Sequence, residues 1–233
     1  MSGADDPLGP GPRTKIRRLA ERGRYDEETV YAILDEGLVC HLGISTPAGP
    51  LVVPTAYVRV GRSVYLHGAP ASASLGTAVG GGSVCLVVTL VDGLVMARSA
   101  FHHSINYRSV VVIGAATEVT DLDQKRAALE ALVEHIVPGR GEDARAPTDA
   151  ELRSTKVVRI EIAEASAKIR AGGPNDDPDD LDLPIWAGQL PFSVVTGSPL
   201  ADEHVPVGTA VPTYLTSYAR PSSAAAGERG PGP

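Results

Sequence analysis

Residues 98–121 read RSAFHHSINYRSVVVIGAATEVTD, and this stretch decides the fold. Val110, Val111, Val112 and Ile113 form the centre of a strand that continues past Gly114 to Val119, since β-branched side chains pack well on a pleated surface. Ahead of them stand His102, His103, Asn106, Tyr107, Arg108 and Ser109. That many polar groups at the mouth of a buried strand point to a site, because burying them without partners is costly.

Outward from this stretch, residues 38–44, 51–60, 63–67, 83–90, 94–99 and 108–119 read as strands. Turn signals divide them, notably PAGP at 47–50, GR at 61–62 and VDG at 91–93. Strands in such close succession predict an antiparallel sheet or barrel. Helices are fewer. DEETVYAILD at 26–35 carries acids in its first turn, and 69–81 holds a short helix or loop. The long helix spans 122–137, capped by Asp121 or Asp123, with Ala128, Leu129, Leu132, Val133 and Ile136 on one face. Thr148 and Glu151 make a capping-box pattern for a helix over 148–153, and TKVVRIEI at 155–162 reads as the final strand.

Composition bounds what the chain does. Its 233 residues fit one all-β domain with an appendage. A 43% hydrophobic share excludes global disorder. The net charge of −7 gives nucleic-acid binding no support. No apolar run reaches the ~20 residues of a membrane span, and the N-terminus lacks a signal-peptide pattern, so the cytoplasm is the expected location. Cys40 and Cys85 sit in apolar runs and read as small buried hydrophobes. Residues 1–12 and 219–233, rich in Gly, Pro, Ala and Ser, read as disordered tails. Between them the expected division is a barrel domain at 13–172 and an extension at 173–218 that packs on it. The extension holds an acidic connector, Asp176 to Asp182, read as a solvated loop, and the single tryptophan, Trp186. His41, His135 and His204 read as structural or solvated. P-loop, GxSxG and HExxH motifs are absent.

Taken with VVPTAYV at 52–58, YLHG at 65–68 and NYRS at 106–109, the chain resembles the pyridoxamine 5′-phosphate oxidase-related FMN-binding split barrels, in the branch of the nitroimidazole-resistance proteins. The resemblance runs over roughly residues 14–195. It implies a mainly β fold with peripheral helices, a six-stranded antiparallel split barrel, and a homodimer with cofactor cavities at its two-fold interface. It places Val53, Pro54, Thr55 and Tyr57 beside the flavin ring, and Pro54 marks an edge because it cannot donate to a neighbouring strand. His67 and Gly68 fall next to the cofactor, with His67 and Tyr107 as the catalytic candidates. Arg108, Ser109 and Trp186 are further cofactor-contact candidates, and Ser72 and Ser74 can supply hydroxyls to a phosphate. Tyr107 and Arg108 point to opposite faces of a strand, and Arg108 is the preferred anion partner. One of His102 and His103 at most can face the site.

One departure stands out. Family members carry Arg or Lys soon after the His-Gly pair, but here no Lys or Arg occurs between Arg62 and Arg98. A phosphate dianion prefers a charge-assisted partner. The cation must then come from the basic arm (Arg13, Lys15, Arg17, Arg18) or from Arg108. The first expectation is an FMN-dependent oxidoreductase acting on a small metabolite. The alternative is a haem b enzyme on the same fold, with His67 as axial ligand, active in haem handling or in small-molecule biosynthesis such as nitrogen–nitrogen bond formation. A non-catalytic dimeric binding protein is the third. Pyridoxamine phosphate oxidation is not expected, since that enzyme's set of substrate-phosphate residues is not in the chain.

Overall fold

The computed structural model describes residues 8–219. It opens with β1 (Gly23–Arg24), α1 (Glu27–Glu36), β2 (Val39–Thr46), β3 (Gly49–Val60) and β4 (Ser63–Gly68). Then come α2 (Ala73–Gly80), β5 (Ser83–Met96), β6 (Ser104–Val119) and α3 (Leu122–Ile136). After α4 (Arg140–Asp143) and α5 (Asp149–Arg153) follow β7 (Lys156–Glu161), β8 (Glu164–Arg170), β9 (Gly188–Pro191) and α6 (Thr213–Thr216). No helix of the described residues is long and apolar enough to cross a membrane.

Six strands close a ring in the order β2-β3-β4-β7-β6-β5, every pairing antiparallel. This is the split barrel that the family resemblance implies, and a closed form of the antiparallel sheet or barrel that the strand spacing predicts. β6 is its central member. One edge of β6 pairs with β5; the other pairs with β8 over Tyr107 to Ile113 and with β7 over Ala116 to Val119. Alternation along β6 sends Val110 and Val112 inward, both fully buried. They join Leu42, Leu66, Leu86 and Ile160 in the core, and Ile33 and Leu34 of α1 and Leu75 of α2 pack into it. Each such buried aliphatic contributes ~1.5–3 kcal/mol relative to exposure.

Helix α3 lies outside the ring. Asp121 caps it, accepting from Gln124 N at 2.9 Å, and Ala128 packs with Val119 and Val157. Val133, expected on the buried face, is exposed, whereas Lys125 is buried and donates to the carbonyls of Leu152 and Thr155. The ammonium finds backbone acceptors where α5 ends, so its stem replaces an apolar contact. The capping box of Thr148 and Glu151 forms as its spacing predicts.

Three features differ from the sequence reading. VDG at 91–93 is no turn: β5 runs through it with a register shift between Val91 and Gly93. A Cβ on Gly93 would stand 2.6 Å from Leu190 O, so the glycine admits β9 against β5. Second, residues 164–170 form β8, which the reading omits. EASAKIR lacks apolar alternation because Ala165, Ser166 and Ala167 are all buried between neighbours. Third, the described part of the N-terminal tail is docked. Leu8 is buried, and its carbonyl accepts from Ala165 N at 2.9 Å. Residues 1–7 and 220–233 of the expected tails lie outside the described residues.

Gly114 sits where β6 exchanges β8 for β7. A Cβ there would meet the Glu161 carbonyl oxygen at 1.8 Å, a backbone atom that cannot swing away. Gly114→Ala is therefore expected to destabilise the fold by at least ~2 kcal/mol, about 4–8 °C at this size. Gly76→Ala, in α2 with nothing within 4 Å of the new Cβ, should be neutral or stabilising by a few tenths to ~1 kcal/mol. Thermal melts of the two variants side by side check the contrast.

Candidate functional site

The ring is split beside β3. β2 pairs with Gly49 to Ala56, but β4 pairs only with Tyr57 to Val60, so the first two-thirds of β3 has one free edge. Val53, Pro54 and Thr55 lie there. Pro54 stands opposite His41, and Val53 and Thr55 stand opposite the buried Leu42 and Cys40. Unpaired strand backbone is a ready hydrogen-bonding surface for a ligand. β4 ends close to this edge in His67 and Gly68. Val64 and Leu66 point into the core, so His67 alternates outward and is exposed. Neither of its ring nitrogens is hydrogen-bonded among the described residues. A Cβ on Gly68 would meet Leu75 Cδ1 at 2.9 Å, so the glycine lets α2 close on the strand end. Ser72 caps α2, accepting from Leu75 N at 3.4 Å, and Ser74 Oγ lies 3.2 Å from Ser72 Oγ.

Two expected contacts are engaged elsewhere. Tyr57 is fully buried and donates its hydroxyl to Leu34 O at 2.5 Å, with its ring tilted against His135; it belongs to the core. Arg108 has carboxylate partners of its own. It faces inward, its side chain 11% exposed, and is clamped by two carboxylates: Asp92 at 3.0 and 2.7 Å, and Glu36 at 2.8 Å with a second, shorter bond. The Glu36 and then the Asp92 hydrogen bonds hold its guanidinium above its ordinary pKa. Two carboxylates around one guanidinium give the cluster a formal net charge of −1. This cluster forms part of the lining of a cleft of about 940 Å³, shared with Leu90, Phe192, Val194 and Tyr218.

Tyr107 and Ser109 occupy the opposite face of β6, half-buried, across from Arg170 and Lys168 of β8. Ser109 Oγ donates to Lys168 O at 3.4 Å. Arg17 and Arg18 are exposed, and neither forms an ion pair among the described residues. Trp186 is 69% exposed, with its ring lying where a Cβ on Gly188 would meet it at 2.9 Å.

The histidine pair has structural partners: His102 meets Asp177 at 3.2 Å and His103 meets the Ser99 carbonyl at 3.0 Å. His135 takes the Gly37 carbonyl at 2.7 Å. The acidic connector, read as solvated, is pinned here, because Asp176 accepts from both Arg98 N (2.8 Å) and Arg98 Nη1 (2.9 Å). Cys40 and Cys85 are free thiols; burial pushes Cys40 up to about 12, well removed from thiolate chemistry. Among the described residues no group of three or more His, Cys, Asp or Glu is placed to hold a metal ion. Sequence reasoning missed Arg170, whose guanidinium bonds Asn106 Oδ1 and the carbonyls of Gly172 and Gly173. Its only signal is a basic residue ahead of a Gly-Gly pair, which is too common to find a site.

With this geometry in place, the comparisons are specific. A family model described as pyridoxamine 5′-phosphate oxidase matches residues 26–169. The flavocytochrome Anf3 of Azotobacter vinelandii is 37% identical, with a TM-score of 0.84 over 90% of this chain and 98% of that one. The FAD and haem binding protein of Mycobacterium smegmatis is 30% identical, with a TM-score of 0.80 over 84% of this chain and 96% of that one. A nitroimidazole resistance protein homologue from Bacteroides thetaiotaomicron shares the fold at 22% identity, covering 63% of this chain and 86% of that one with a TM-score of 0.54. Among curated proteins none matches.

Arg108 generates the test of this subsection. Arg108→Met leaves Glu36 and Asp92 facing each other without their shared cation. Truncating one member of such a cluster costs about 3 kcal/mol, an effect on folding. The expected result is a large drop in the urea midpoint. An unchanged midpoint together with lost ligand binding would return Arg108 to the cofactor.

Proposed function

The chain belongs to the pyridoxamine 5′-phosphate oxidase family, and from that membership we propose that it is a redox protein binding a flavin, FAD in preference to FMN, together with haem. The observation that carries this reading is the reach of the similarity to a flavocytochrome and to an FAD and haem binding protein. It spans nearly the whole of both relatives and extends well past the barrel into the C-terminal extension.

The residues fit both groups. FMN ends in a phosphate dianion that needs a cation close to the ring site. Residues 63–97 are free of Lys and Arg, and the cations nearest, Arg108 and Lys156 (opposite Gly68 on β7), already have carboxylate partners in Glu36 and Asp92 and in Glu118. A dinucleotide carries its phosphates further from the ring, within reach of cations elsewhere on the surface. The ring itself is addressed by the free β3 edge at Val53, Pro54 and Thr55. His67 suits haem because an exposed imidazole with no protein hydrogen bond keeps a ring nitrogen for an axial bond. When bound, the flavin supplies hydride chemistry and the haem one-electron and oxygen chemistry. The protein's part is to hold, orient and shield.

A homodimer completes the reading. Val39 and Val52 are 50% and 61% exposed on the outer face of β2 and β3, flanking His41 and Pro54. Exposed apolar area of this kind on a sheet face is suited to an isologous contact with a second copy.

The visible spectrum of the purified protein, before and after reconstitution with FAD and haem, tests the cofactors. Paired flavin bands and a Soret band are expected. His67→Ala should abolish the Soret band while leaving the melting temperature within a degree or two, and His41→Ala should keep the band. A Soret band undiminished in His67→Ala would remove haem from this position. Sedimentation at micromolar concentration should give twice the 24.2 kDa chain mass; a monomer would overturn the dimer.

A further inference from the structure

Several cations of this acidic chain are neutralised in pairs. Arg13 meets Glu164, Arg59 meets Asp35, Arg62 meets Glu27, Arg126 meets Asp149 and Arg145 meets Glu151. One surface gathers cations that have no such partner among the described residues. Along β8 and the arm folded over it, Arg17, Arg18, Arg22, Lys168 and Arg170 form no ion pair among the described residues. Lys168 Nζ reaches only the Arg18 carbonyl, at 3.3 Å. The arm is turned back onto β8 at Leu19, a non-glycine residue in the left-handed region (φ 56°), which costs about 1 kcal/mol that the surrounding contacts must cover.

Arg170 is the informative member. It is only 8% exposed, yet its acceptors are all neutral: Asn106 Oδ1 and the carbonyls of Gly172 and Gly173, each carbonyl at 3.0 Å. Burial, and then repulsion from Arg22, hold its guanidinium below its ordinary pKa. Its Nε–H and one Nη2 proton have no acceptor among these bonds. The acids close by do not answer the charge. Glu164 is taken by Arg13, and Glu21, in the same turn as Arg22, is exposed and unpaired. A buried cation whose charged neighbour is another cation is costly in isolation, and an anion from outside would reverse the sign of that cost.

Strand geometry gives the size of that anion. Lys168 and Arg170 lie two residues apart on one face of β8, ~7 Å along the strand, with Ser109 and Tyr107 opposite them on β6. Cations repeated at that interval, with Arg22 beside the second, match a group carrying two phosphates better than one. We propose that this surface is a site for the diphosphate of a nucleotide, held by Arg22, Lys168 and Arg170 with Tyr107 alongside. The diphosphate belongs either to a flavin dinucleotide or to a nicotinamide dinucleotide acting as hydride donor. The site does not depend on the flavin reading.

Calorimetric titration of the full-length protein with ADP, FAD, riboflavin and NADPH tests it, using wild type, Arg22→Ala, Lys168→Ala and Arg170→Lys. Arg145→Ala, paired with Glu151 far along the chain, is the control. ADP should bind wild type and the control alike. Arg22→Ala and Lys168→Ala remove side chains with few protein contacts, so they should fold normally and weaken ADP about tenfold each, as expected for one charge-assisted hydrogen bond. Raising salt to about 0.5 M should weaken ADP as well. Riboflavin, lacking phosphate, should be indifferent to all variants. Loss of FAD affinity in the same variants assigns the diphosphate to the flavin; loss of NADPH affinity with FAD unchanged assigns it to the hydride donor. ADP that fails to bind wild type, or binds both alanine variants as well as wild type, overturns the site and leaves the flavin reading standing. ADP binding without any binding of FAD or riboflavin overturns the flavin reading and leaves the site.

Discussion

The exchange of partners at Gly114 is the constraint on which the rest of the structure hangs. β6 is long enough to serve two strands on one edge, but only if the crossing point is narrow enough for the Glu161 carbonyl to lie against it. That single close approach lets β7 close the ring while β8 peels away along the outer face. β8 in turn carries β1, the docked residues around Leu8 and the basic arm. Without the exchange, a seven-strand barrel would need a different tilt and stagger to close, and the face bearing Tyr107, Ser109, Lys168 and Arg170 would not exist.

Much of the ring was legible in the sequence because its strands are half-buried and alternate. The segments at 38–44, 51–60, 63–67 and 155–162 sit within a residue or two of β2, β3, β4 and β7. Where reading failed, the usual signal was physically absent. β8 is buried on both faces over Ala165, Ser166 and Ala167, so that stretch has no polar side to alternate with. VDG carries the residues of a turn, but its glycine makes room for β9. The pinned connector depends on Arg98 meeting Asp176, 78 residues away, and no local pattern records such a pairing.

The site was legible in position more than in partnership. His67 does end its strand and face outward, and Pro54 does lie on a strand edge. The alternation of Tyr107 and Arg108 was also readable, with one of the two facing in. Which one carried a free charge was not readable, because the answer lies in Glu36 and Asp92, on a helix and at a bulge. Charge on a sequence is a count; charge available to a ligand is what remains after pairing. By that measure Arg108 is neutralised at the cleft, whereas Arg17, Arg18, Arg22, Lys168 and Arg170 on the arm and β8 form no ion pair among the described residues.

The short β9 has a consequence for the chain's behaviour in a crowded solution. Beyond the three residues that meet β2, one edge of β5 would be an open row of backbone donors and acceptors next to Leu94 and Val95. Such an edge templates the addition of another chain's strand. Gly188 to Pro191 occupy it, and Phe192 N still donates to Asp92 O at 2.9 Å as the chain leaves; Pro191 has no N–H to offer a further strand. The extension thus covers a sheet edge that would otherwise stand open, with four residues that contribute almost nothing to the core.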